Sequence, residues 1–362
     1  MPFVVTPRCR CGSGFCRPSL TCPHPVQQQV HLLCLMRSLN QVLDLFKNNT
    51  LTVEQYAQSL LDRVEERGSI VKAWDYLAPA LDRIPYEERG PLHGVAIGVK
   101  DILNTRDAGA LIVGKTTTTE FTVTNPHDPN RTPGGSSCDS AAAVADFQVT
   151  LSLGAQTGGS LIRPASYTGV FAIKPTYNAI LLEGQKTFAP TFDTLGFFAR
   201  SIEYLQLLAD VFPIRDDESP KDILSLDVSV ALIKTPMWPQ AGPITVTAID
   251  KAAVILQNWG AQVEEEEYKR LSQVMKAQRS FLREYRVDKA YLVPEICAMV
   301  ENTANYTNEE AADAHDTYAE MRRIINNLAK NHLVILTPSA VDEAPLGLGD
   351  MGGATFNTLW GR

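Results

Sequence analysis

The chain has no apolar run long enough to span a membrane. Val30–Met36 is apolar but short, and it lacks the layout of a secretory leader. The cytoplasm is therefore the expected compartment. Positive charge is also scarce: 33 Lys and Arg stand against 41 Asp and Glu, a net charge of −8. That balance argues against a nucleic-acid surface as the main function and fits an enzyme of small neutral molecules. No G-x-S-x-G is present, so a strand–turn–helix nucleophile elbow is unsupported. None of the six histidines adjoins a Gly-Gly-Ser turn in sequence, and His93 and His127 read as structural residues near turns. Cysteine is thin beyond residue 34, because Cys9, Cys11, Cys16, Cys22 and Cys34 take five of the seven. Their spacing matches no regular C-x2-C pairing, and no leader supports a disulfide framework. Both readings stay open beside the favoured one, an accessory or disordered segment over 1–37. No metal-ligand cluster lies elsewhere, and neither a fixed-period repeat nor a clean domain boundary is seen.

What is present centres on Gly134–Ala172, where Gly-Gly-Ser turns at 134–136 and 158–160 flank small and apolar residues. Glycine lets the backbone approach a ligand closely. A serine in such a turn presents its hydroxyl beside free backbone N–H groups. Acyl transfer needs that pairing of nucleophile and anion-stabilising donors. The bland reading of each turn alone is an ordinary loop. Between them, Ser140–Ala145 reads as a tightly packed helix and Val149–Leu153 as a buried strand, with Gly154–Ser160 as the loop leaving it. Upstream, Val95–Val99 reads as another buried strand ending on Lys100-Asp101. The alternative for Lys100 is a surface lysine with its head in water.

The rest of the chain alternates helix and strand patterns. Thr52 and Gln55 have capping-box spacing. Val53, Tyr56, Ala57, Leu60, Leu61 and Val64 then form an apolar stripe ending near Gly68. Ala73–Leu77, Ala179–Leu182, Val228–Ile233 and Leu333–Leu336 read as strands, Ser201–Phe212 and Thr247–Trp259 as helices, and 270–330 as mostly helical. Asp216–Asp222 reads as a surface loop and Glu264–Glu267 as a solvated acidic run. The fold expected is a single α/β domain over 38–362, a mixed, largely buried sheet with helices on both faces.

Gly109–Thr116, GALIVGKT, matches the P-loop pattern letter for letter. A P-loop needs its strand before the first glycine. Here the strand-like Ala110–Val113 lie inside the motif and polar residues precede it, so a strand followed by a Gly-Lys-Thr turn explains the letters better. A P-loop nucleoside triphosphatase using Lys115 and Thr116 remains a remote alternative.

The ordered motifs GVKD (98–101), GGSS (134–137), TGGS (157–160), Arg163–Ala165 and Phe171–Thr176 resemble the amidase signature family, which hydrolyses amide C–N bonds. The resemblance runs from about residue 40 onward and is densest over 90–205. It implies a Ser–cis-Ser–Lys triad: Ser160 as nucleophile, Ser136 on a cis peptide as proton relay, and Lys100 as base. It also implies an oxyanion hole from the backbone of Thr157, Gly158, Gly159 and Ser160, with Ser137 and Arg163 in support. Thr122 is a weaker candidate for the pocket wall. A small-molecule amide is the expected partner, with no cofactor or metal required, and the family's substrates run from small, aryl and fatty acid amides to glutamine.

Several residues depart from that pattern. Cys138 and Asp139 stand where many relatives carry small residues, and Gln156 replaces a common aspartate. Only Ile102–Asp107 separate the Lys-Asp segment from the next strand, where the family has several dozen residues. Phe356–Trp360 resembles a segment after which relatives continue. These gaps support a second reading, a catalytically inactive or incomplete member of the fold.

Overall fold

The computed structural model describes residues 39–78, 90–104, 110–118, 123–212, 214, 228–267, 294–301, 303, 305 and 307–360. The Cys-rich segment, Thr122, the loop at 216–222 and the region 268–293 lie outside the described residues.

The chain enters through α1 (Leu39–Lys47) and α2 (Val53–Val71). The capping box of α2 is formed: the Gln55 N–H donates to Thr52 Oγ1 at 3.2 Å, and Gln55 Oε1 accepts the Thr52 N–H at 3.0 Å. Tyr56, Ala57, Leu60 and Val64 are buried as the stripe requires. The helix runs past Gly68 to Val71, which is fully buried, and Lys72 closes it in the left-handed region with φ 57°. One glycine costs a helix about 1 kcal/mol. Burying a valine contributes more, about 1.5–3 kcal/mol, so the helix continues. Thr52→Ala is expected to destabilise the protein by about 1 kcal/mol, read as a lower urea midpoint at unchanged slope.

Nine strands form two sheets among the described residues. The six-stranded sheet contains β1 (Trp74–Leu77), β2 (Ala96–Lys100), β3 (Leu111–Thr116), β4 (Leu151–Gln156), β5 (Phe171–Ile173) and β6 (Thr194–Ala199), in the order β1-β3-β2-β4-β6-β5. β2 pairs in parallel with β3 and β4, whereas β1, β6 and β5 join antiparallel. A second sheet, parallel throughout, holds β7 (Ser229–Lys234) between β8 (Gln262–Glu267) and β9 (Val334–Leu336). The helices are α3 (Cys138–Ala145), α4 (Ile162–Thr168), α5 (Ile202–Val211), α6 (Pro243–Asn258), α7 (Pro294–Glu301) and α8 (Asn308–Ala329).

Two buried clusters meet around the larger sheet. One gathers α1, α2 and α3 through Tyr56, Leu60, Ala142 and Val144. The other gathers α5 with the β2 and β6 side chains Val99, Phe197 and Leu208. The α/β class and the mixed sheet agree with the sequence reading; the separation of β7–β9 into a second sheet was not legible there. Ala179–Leu182 forms no strand, and Leu181 is 80% exposed. The short strands β5 and β6 were not anticipated, and α6 starts earlier than expected, with a proline in its first turn.

The Gly-Lys-Thr of the P-loop lookalike is not a turn: Gly114, Lys115 and Thr116 lie inside β3. Thr116 is fully buried and shares a 2.7 Å hydrogen bond with Ser140, while Lys115 donates to the carbonyl of Leu103. Among the described residues of the motif, 110–116, no phosphate-wrapping loop is formed. The connection from β2 to β3 is residues 101–110, short for a parallel crossover. Its described start is pinned by hydrogen bonds from Asn104 N–H to Gly184 O and from Lys186 N–H to Ile102 O, each 2.9 Å.

Candidate active site

Convergence at the site follows from topology. β2 and β4 are adjacent and parallel, so their C-terminal ends point the same way, where open α/β sheets place ligands. Lys100 is the last residue of β2, and β4 leads directly into Thr157–Ser160. The turn Gly134–Ser137 lies over these ends. It comes close because β4 has glycine at 154: a Cβ there would stand 3.1 Å from Ser137 Cβ and 2.6 Å from the Phe198 ring. The eight residues of α3 are all buried, which their small side chains allow.

Lys100 is 2% exposed. Its Nζ lies 2.8 Å from Ser136 Oγ and 2.9 Å from Ser137 Oγ. The Gly135–Ser136 peptide is cis. Ser137 is fully engaged: its hydroxyl donates to Ala155 O at 3.0 Å and accepts the Ala155 N–H at 3.2 Å, and its own N–H donates to Ser160 O at 3.1 Å. That last bond ties the two Gly-Gly-Ser turns together. Arg163, on α4, donates to Gly135 O at 2.6 Å and to Gly352 O, linking the first turn to the C-terminal segment.

The loop Thr157–Ser160 is held from both ends. Gln156 Oε1 accepts the N–H groups of Leu161 and Ile162, each at 3.0 Å. Thr157 Oγ1 donates to Asp193 Oδ1 at 2.5 Å. Between these anchors, the N–H groups of Gly158, Gly159 and Ser160 have no acceptor among the described residues. Gly159 packs against Ala354, whose Cβ would stand 2.8 Å from an added Cβ.

Burial dominates the electrostatics. It lowers Lys100 from 10.5 to about 8, against the opposing pull of Cys138, Asp139 and Asp193. Burial also pushes the Cys138 thiol well above its usual range, so it stays neutral. Asp139 and Asp193 are each 2% exposed and titrate above the ordinary carboxylate range, again from burial. Hydrogen bonds oppose that rise, from Thr117 and Cys138 on Asp139 and from Thr157, Ala189 and Phe188 on Asp193.

The structure thus brings Lys100, Ser136 and Ser137 into direct contact, ties Ser160 to them through the backbone, and sets Arg163 behind the first turn. The sequence patterns single out no role for Asp193, and Gln156 enters them only as a departure. Both prove to hold the second turn. Among the described residues, no group of three or more His, Cys, Asp or Glu side chains is arranged to hold a metal, and no helix is long and apolar enough to cross a membrane.

A buried lysine against two serines, beside a glycine-rich loop with open N–H groups, has the parts that serine-dependent acyl transfer needs, and the fold around it recurs in solved structures. A crystal structure of an amidase superposes with a TM-score of 0.76 at 22% identity, covering 86% of this chain and 83% of that one. A 6-aminohexanoate cyclic dimer hydrolase gives 0.73 at 18%, covering 90% and 86%. The family model described as Amidase matches residues 104–333, and the chain belongs to that family. Among curated relatives, a glutamyl-tRNA(Gln) amidotransferase subunit of Lysinibacillus sphaericus is 37% identical over 192 residues, 42% of this chain and 39% of its own length. The same subunit of Synechococcus sp. RCC307 is 33% identical over 236 residues, 52% of this chain and 48% of its own length. The chain spans about half the length, or less, of the curated relatives it matches.

Proposed function

We propose that the chain hydrolyses the C–N bond of a carboxylic amide through an acyl-enzyme on Ser160, with residues 38–362 working as one amidase domain. The observation that carries this reading is the 2.8 Å contact between the buried Lys100 Nζ and Ser136 Oγ, tied through Ser137 to the Ser160 turn. Neutral Lys100 takes the Ser136 proton while Ser136 takes that of Ser160, and Ser160 Oγ attacks the amide carbonyl. The N–H groups of Thr157, Gly158, Gly159 and Ser160 stabilise the oxyanion, each such donor contributing about 3 kcal/mol. The proton returns through Ser136 to the leaving amine, and water then releases the acid by the same relay. Ser137 and Arg163 hold the first turn. None of these steps calls for a metal or organic cofactor.

The substrate is proposed to be a small-molecule amide. The amidotransferase subunits among the relatives add glutamine as a candidate amide, and their designation as subunits adds a partner protein. The test is intact-mass analysis after exposure to a fluorophosphonate. One covalent adduct per folded chain is expected. A folded chain that takes none sinks the hydrolase and favours the inactive-member reading.

A further inference from the structure

Asp193, immediately before β6, has no part in the proton relay, yet both its oxygens are committed. Oδ1 accepts from the Thr157 hydroxyl; Oδ2 accepts the N–H groups of Phe188 and Ala189 at 2.6 and 2.8 Å. The side chain is 2% exposed. Thr157 opens the loop whose next three N–H groups have no acceptor of their own among the described residues. A loop without internal hydrogen bonds keeps its donors aimed only if its ends are fixed from outside. Gln156 fixes the far end, and Asp193 fixes the near one.

The second observation is electrostatic. The titratable groups facing Lys100 are Cys138 and Asp139 on α3 and Asp193 before β6. Cys138 stays neutral, and Asp139 is engaged by the Thr117 hydroxyl and the Cys138 thiol. Asp193 is thus the one carboxylate of the three groups that also grips the oxyanion loop.

We propose that Asp193 is a positioning residue for acyl transfer, fixing the loop 157–160 through Thr157. The inference rests on the Ser160–Ser136–Lys100 reading. Asp193→Asn keeps the shape, but its NH2 group cannot accept the hydrogen bonds one oxygen now takes, and the charge is lost. Thr157→Val removes the loop contact and leaves the charge.

The experiment uses the full chain and two readouts: the rate at which serine is phosphonylated by a fluorophosphonate, with release of fluoride, from pH 6 to about 9.5, and amide hydrogen exchange of residues 157–160. Asp193→Asn is expected to take the fluorophosphonate label about 30-fold more slowly, with its rate midpoint moved to lower pH and loop exchange faster by about tenfold. Thr157→Val is expected to share the slower labelling and faster exchange but to keep the native midpoint. Native exchange together with a native midpoint in Asp193→Asn overturns the proposal. Should Asp193→Asn not fold, native rate and native exchange in Thr157→Val overturn it. If the native chain takes no adduct, the hydrolase reading fails by itself, and exchange in the variants still decides whether Asp193 holds the loop.

Discussion

Ser160→Ala is expected to abolish the fluorophosphonate adduct and to cut amide hydrolysis by about 10⁴-fold or more, the usual scale for removing a nucleophile. The sharp rival is Ser136. It is one of the two serines in direct contact with Lys100, 2.8 Å from Nζ, and unlike Ser137 it is partly exposed. Ser137, Ser140 and Ser152 are no rivals, because each is buried and hydrogen bonded. What separates Ser160 from Ser136 is the surroundings of each hydroxyl. Ser160 closes a run of three N–H groups without acceptors among the described residues, whereas the N–H next after Ser136, that of Ser137, is spent on Ser160 O. A nucleophile needs donors where the oxyanion forms, and the Ser160 turn offers three in succession, whereas in the Ser136 turn the Gly134 and Ser137 N–H groups are both spent, on Thr132 Oγ1 and Ser160 O. Peptide mapping decides the matter. An adduct that survives in Ser160→Ala and maps to Ser136 reverses the two roles.

Much of this site was legible because its parts are local in sequence. The two Gly-Gly-Ser turns and the Lys-Asp strand end are short patterns with a chemical reason for each residue, and buried strands such as β2 read as continuous apolar runs. Asp193 was harder to see. Its importance comes from meeting Thr157 across 36 positions, and nothing in either local pattern announces that meeting. The boundaries failed for a similar reason. Gly68 reads as a helix end, but Val71 finds a buried berth, and tertiary burial outweighs one glycine. Gly114-Lys115-Thr116 reads as a turn, yet a strand on each side, β1 and β2, draws it into the sheet. At 114 glycine is required by close approach: an added Cβ would stand 2.2 Å from Tyr76 O. Pairing partners, not intrinsic preference, made that segment a strand.

Lys100→Met is expected to lower acylation and hydrolysis by about 10³-fold and, unlike most active-site substitutions, to change how stability depends on pH. In the native chain Lys100 titrates at about 8 instead of 10.5. At pH 7 about one molecule in ten then holds it neutral, against about one in three thousand at the ordinary value. Activity should therefore climb with pH and level off above about 8, and the methionine variant should lack that limb. The stability sign follows from the same lowering. Between about 8 and 10.5 the unfolded chain binds a proton that the folded chain does not, so native stability rises with pH across this window. Below it, the folded state carries a burial cost of about 3 kcal/mol. Methionine removes that cost and forfeits two hydrogen bonds to Ser136 and Ser137, each worth about 1 kcal/mol. A net gain of about 1 kcal/mol is expected at pH 7, with the native protein overtaking the variant near pH 9, where the remaining burial cost has fallen to about 2 kcal/mol. Denaturant midpoints of both proteins, taken from pH 6.5 to about 10, read this directly. Parallel curves would mean that Lys100 is not charge-frustrated in the fold, and the argument for it as a base would lose its physical ground.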